Sequence, residues 1–122
     1  MSSETAQYKA TILEQKVVEN TATLLLQVDP EITYFQGHFE NYPLLAGVVQ
    51  IDWAIYYGKK LLSCDTVFAG MEVIKFQQPI LPNYQVLLTL RWEKEKQKLY
   101  FSYTADDEVS CSSGRIKLDA TK

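Results

Sequence analysis

β-Branched and apolar residues are frequent over residues 8–18 and again over 21–28, with Glu19-Asn20 between them as a turn signal. That pattern predicts a hairpin or two neighbouring strands. Asp29-Pro30 ends the second, because proline lacks a ladder donor and disfavours continuation. Residues 31–43 hold Gly37, Asn41 and Pro43 and read as a loop, although Tyr34, Phe35, Phe39 and Tyr42 make it too aromatic for a solvated connection. From about residue 45 to 62 the pattern becomes helical. Val48, Val49, Ile51, Trp53, Ala54, Ile55, Tyr56, Tyr57, Leu61 and Leu62 leave only a narrow polar strip, which predicts a buried helix. Lys59 and Lys60 fall in its last turns, where cations suit the helix dipole. Past Ser63-Cys64-Asp65 the helical period is lost. Residues 66–77, 85–92, 97–104 and 109–118 read as strands, and the short turns between the last three imply an antiparallel meander. The sum is an α+β arrangement, one long helix with about six strands wrapped around it.

Length and charge narrow the picture. A chain of 122 residues buries one core, so residues 1–122 are expected to form a single domain. Eight tyrosines, five phenylalanines and two tryptophans imply wide apolar surfaces, in the core or at a subunit contact. A net charge of −3 does not suggest a nucleic-acid partner. The first twenty residues lack a basic start followed by an apolar run, and no stretch reaches the length of a membrane span, so a cytoplasmic protein without a membrane role is expected. Cys64 and Cys111 have no metal-ligand spacing and the chain has one histidine, so both are read as reduced thiols and no metal or cofactor is expected.

Chemistry concentrates in residues 34–53. His38, the only histidine, follows Gly37, which permits a tight turn. Phe35 and Phe39 flank it and would keep the imidazole partly dry and neutral, fit to accept a proton; a structural or surface histidine is the alternative. Asp52, fourteen residues on, has Val48, Val49, Ile55 and Tyr56 as its helical neighbours. Desolvation there would raise its pKa and suit a proton donor, unless it is a buried carboxylate bonded to backbone or to Tyr56. The run from Pro43 to Gly47 offers no Ser, Thr, Asp or Asn as a cap. The first N–H groups of the helix are therefore open to a carbonyl oxygen that gains negative charge, or are satisfied by loop backbone or water. A base, an acid and an oxyanion donor beside an apolar channel are what β-elimination of water from a 3-hydroxyacyl thioester requires.

Gly-His-Phe at 37–39, Pro43, Ala-Gly-Val at 46–48 and Asp52 resemble the active-site segment of the 3-hydroxyacyl-(acyl carrier protein) dehydratases, the FabA/FabZ-like family. Residues 68–79, followed by Leu81-Pro82, look like the family's strand after the helix. The resemblance implies a hot-dog fold and a homodimer with sites at the subunit contact, where the histidine of one chain faces the acid of the other. A heterodimer with another dehydratase-like subunit is the variant form. Carried over by position, His38 is the base at the α-carbon, Asp52 the acid at the hydroxyl, and the Gly47 amide the donor to the thioester carbonyl. Gly37, Phe39, Val48, Tyr34, Phe35, Trp53 and Tyr56 would line the substrate, although a buried core uses the same aromatic residues. The implied reaction turns (3R)-3-hydroxyacyl thioesters on acyl carrier protein into trans-2-enoyl thioesters.

The segment Val-Val-Gln-Ile-Asp-Trp at 48–53 is similar to the small dehydratases of aryl polyene clusters, the ApeI-like subgroup. Glu40 and Ala46 stand where the larger family has proline, and Gln77 and Gln78 where basic residues are frequent. Lys59, Lys60, Lys75, Arg91 and Arg115 are the remaining candidates for docking an acidic carrier, or are simply solvated. Two other readings compete: a hot-dog thioesterase, which the histidine argues against, and a non-catalytic subunit that binds an acyl chain or completes a heterodimer.

Overall fold

The structure, a computed structural model, describes residues 7–32, 44–105 and 108–120. Its elements run in the order β1 (Thr11–Val18), β2 (Thr21–Gln27), α1 (Gly47–Leu62), β3 (Val67–Phe76), β4 (Gln85–Glu93), β5 (Lys98–Thr104) and β6 (Ser110–Asp119). All six strands join one antiparallel sheet in the order β1-β2-β4-β5-β6-β3. The hairpin, the meander and the helix thus stand as the sequence implies. The place of β3, beside β6 at the far edge, is a non-local pairing.

Strict alternation in β2, β4 and β5 sends every second side chain to the face that α1 covers. The register stacks these into rows across the sheet. Leu24, Leu88, Tyr103 and Ser112 form one, and Ala22, Leu90, Phe101 and Gly114 the next. Onto them α1 lays Val49, Gln50, Trp53, Ala54, Tyr57 and Gly58. Trp53 is fully buried and donates its indole N–H to the Tyr8 carbonyl at 3.0 Å. The helix ends at Ser63, which turns into the left-handed region with φ 56° and ψ 41°. It is too short to cross a membrane, and no helix among the described residues could.

The expectation of a helix buried on most sides is corrected. Val48 is 74 % exposed and Tyr56 43 %, so the face opposite the sheet is open in the single chain. The edge strand β3 is open as well, with Phe68, Met71, Val73 and Phe76 each more than half exposed.

β3 is also irregular. Glu72 pairs with Arg115 and Lys75 with Ser113, so two residues of β3 face Gly114 alone, and Val73 takes a φ of 50° that branched side chains rarely adopt. The bulge drives Ile74 onto Gly114: a Cβ there would lie 2.4 Å from Ile74 Cδ1 and 3.2 Å from its Cα. Gly114→Ala is therefore expected to cost about 1–3 kcal/mol, the usual range for overpacking. Urea unfolding measures this, and an unchanged midpoint would mean that β3 can step back from the sheet without loss.

Candidate active site

The chain enters α1 through Leu45 and Ala46, and both are tied down. Leu45 donates its N–H to the Ile80 carbonyl at 2.8 Å and accepts at its own carbonyl from Gln50 Nε2 at 2.9 Å. Ala46 is the N-cap residue and has no side chain to cap with; its carbonyl takes the N–H groups of Val49 at 3.0 Å and Gln50 at 3.1 Å. The N–H groups of Gly47 and Val48 find no acceptor among the described residues. The uncapped helix start expected from the sequence is present, with the positive end of the dipole behind it.

Phe76, the last residue of β3, covers Gly47. A Cβ on that glycine would fall 2.5 Å from Phe76 Cζ and 2.8 Å from Cε1. The β3 edge and the helix start are thus one locus, and a side chain at position 47 would have to displace the Phe76 ring.

Asp52 lies on the open face of α1, spaced by helical turns between Val48 and Tyr56. With Ile55, Tyr56, Lys59 and Lys60 it lines a hollow of about 400 Å³. Lys9 Nζ stands 4.2 Å from the centre of the Tyr56 ring and Lys60 Nζ 5.8 Å, a cation on an aromatic face in each case. The desolvated setting expected for Asp52 is not found in the single chain, where its side chain is exposed. Its apolar neighbours Val48 and Tyr56 are themselves uncovered, so they dry nothing.

The structure therefore brings Gly47, Val48, Asp52 and Tyr56 to the start and outer face of one helix. Trp53 points the other way, into the core. His38, Gly37, Phe39, Tyr34 and Phe35 lie outside the described residues. Among the described residues no group of histidine, cysteine and carboxylate side chains could hold a metal ion. Cys64 and Cys111 are free and buried, and burial, reinforced by Asp65, pushes the Cys64 thiol up to about 12.

Sequence reasoning passed over a buried polar group directly beneath this site. Gln50 is 3 % exposed; its Oε1 accepts from Ser112 Oγ at 2.6 Å, and its backbone carbonyl accepts from Tyr103 Oη at 2.7 Å. Burial, together with the nearby Tyr57 and Asp52, raises the Tyr103 pKa well above the ordinary phenol value, so the hydroxyl stays a donor. The signal was available: Gln50 is polar yet in phase with Val49, Trp53 and Tyr57 on the inward face, and a buried amide must find partners.

The ApeI-like family model, described as ApeI dehydratase, matches residues 14–115. Among curated relatives, the 3-hydroxyacyl-[acyl-carrier-protein] dehydratase FabZ of Polynucleobacter asymbioticus is 30% identical over 117 residues, covering 84% of this chain and 78% of that protein. The FabZ of Polynucleobacter necessarius is 28% identical over 116 residues with the same coverage. Of solved structures, the dehydratase heterocomplex ApeI:P from Xenorhabdus doucetiae superposes with a TM-score of 0.83 at 36% identity, over 89% of this chain and 96% of that one. An uncharacterized protein from Erwinia carotovora gives 0.77 at 41% identity, over 95% and 98%. The helix laid across a six-stranded antiparallel sheet is the hot-dog fold. By the extent of these matches the chain belongs to the ApeI-like dehydratase family.

Proposed function

We propose that the protein dehydrates (3R)-3-hydroxyacyl thioesters carried on acyl carrier protein to trans-2-enoyl thioesters, in fatty acid or aryl polyene biosynthesis. Residues 1–122 act as one hot-dog unit, and the working form is a dimer. One observation carries the reading: at the helix start the N–H groups of Gly47 and Val48 find no acceptor among the described residues, and the same helix displays a carboxyl, Asp52, on its uncovered face. His38 takes the α-proton, and the electron pair left at that carbon passes into the thioester carbonyl, whose oxygen the Gly47 N–H stabilises. As the C=C bond forms, the β-carbon–oxygen bond breaks and Asp52 protonates the departing hydroxyl as water. Proton return from the imidazolium to the carboxylate resets the site.

The open face and the β3 edge support a subunit contact. Val48 at the helix start and Phe68, Met71 and Phe76 on the β3 edge are exposed apolar side chains, and a second subunit there would cover them and dry Asp52. Lys59 and Lys60, beside Asp52, suit an acidic carrier better than Arg91 and Arg115 do. Arg91 is paired with Glu93 and stacked on Tyr100, and Arg115 is held by Glu72 at 2.9 Å.

The Xenorhabdus heterocomplex favours a second reading, in which a different dehydratase-like subunit completes the site. Carrier-bound 3-hydroxyacyl substrates of varied length and terminal group, read by mass loss of one water, test both. Water loss with the chain alone is the expected result. Turnover only after mixing with a dehydratase-like partner supports the second reading, and none in either case overturns the function.

A further inference from the structure

We propose that Gln50 is a positioning residue whose buried amide holds the Leu45–Gly47 turn, so that the Gly47 N–H stays aimed at a substrate carbonyl oxygen. The inference rests on the function proposed above and names a residue that the motif of histidine, glycine and acid does not include. Around Gly47 the carbonyls are occupied. Leu45 uses both N–H and carbonyl, the Ala46 carbonyl takes two donors, and the Gln50 carbonyl takes the Tyr103 hydroxyl. Among the described residues the N–H groups of Ala46, Gly47 and Val48 find no acceptor.

Of the carbonyls in the turn itself, that of Leu45 is the one that a side chain holds. It can only accept, which fixes Nε2 of Gln50 toward it and Oε1 toward the Ser112 hydroxyl. Ser112 is itself fully buried, on β6 in the row that includes Leu88 and Tyr103. The line Ser112–Gln50–Leu45 thus refers the turn to the sheet, where Ser112 is paired on both sides, with Tyr103 of β5 and Phe76 of β3. A donor that stabilises an oxyanion works only if it is held in place before charge develops. Were Gln50 an apolar residue of equal size, the helix would still pack. The Leu45 carbonyl would then be left buried without its donor and would turn to find another.

The test uses the full chain with Gln50→Met and Ser112→Ala. Each is measured for kcat and KM on a carrier-bound 3-hydroxyacyl thioester, for thermal midpoint, and for the carbonyl stretch of a bound saturated acyl thioester, which cannot eliminate water. Loss of a whole oxyanion donor costs about 100- to 1,000-fold in kcat, so misdirecting one is expected to cost about tenfold or more with KM changed less than about threefold. The downward shift of the carbonyl stretch on binding should shrink in Gln50→Met, and in Ser112→Ala by less. If both variants keep the kcat and the stretch of the unsubstituted chain and only melt earlier, Gln50 is packing and the proposal is wrong. If Gln50→Met does not fold, Ser112→Ala decides on the same readouts. A failure of the function itself appears separately, as no water loss and no stretch shift in the unsubstituted chain, and would take this role with it.

Discussion

His38→Ala is expected to lower turnover of a 3-hydroxyacyl thioester by about a thousandfold, within the range of about 100- to 10,000-fold that a positioned acid or base contributes. Nothing else in the chain can replace it, since no second imidazole exists. Asp52→Ala should fall by a similar factor at little cost to the fold of the single chain, where the side chain is exposed on the helix and surface changes stay within about 0.5 kcal/mol. Mixing the two variants separates the arrangements of the site. If the base of one subunit works with the acid of its partner, a hybrid dimer contains one intact site and one doubly broken site. Random exchange at equal amounts makes half the dimers hybrid, so activity should return to about a quarter of the unsubstituted level. Chain exchange without any return of activity would put both groups in one protomer, and His38→Ala at full rate would remove the base assignment.

Much of the fold could be read before the structure because period 2 and period 3.6 are written locally. Apolar and β-branched runs bounded by turn residues placed β2, β4 and β5 to within a residue or two, and the helix, expected from about residue 45, begins at Gly47. What could not be read was what each apolar face meets. Val48 and Tyr56 have the side chains of core residues, yet both look outward, because hydrophobicity records that a surface wants cover and not which surface covers it. The same limit hid the edge position of β3, whose pairing with β6 spans dozens of residues and a bulge. At the site, the motif spacing located Gly47 and Asp52 on one helix. It was silent on Gln50, Ser112 and Phe76, because these act through contacts between elements far apart in the chain.

Phe76 gives the second large expected effect. Judged by local propensity, Gly47→Ala should be harmless or favourable: Gly47 has an ordinary helical backbone, and alanine is better than glycine inside a helix by about 1 kcal/mol. The structure reverses that expectation, since the new methyl would sit 2.5 Å from the Phe76 ring. Phe76 is half exposed and can swing, so the fold is expected to survive while the ring or the helix start is displaced from the place where a thioester carbonyl must approach. A loss of about 100-fold in kcat with the melting midpoint nearly unchanged is the expected result, the size of losing one oxyanion donor. Replacing the ring in the same chain provides the control. Gly47→Ala with Phe76→Ala should recover about tenfold of that loss, because residues in contact couple by about 0.5–3 kcal/mol. If the double variant is no faster than Gly47→Ala, the ring is not what the methyl disturbs. Should Gly47→Ala alone turn over at the full rate, the crowding between β3 and the helix start has no bearing on the chemistry.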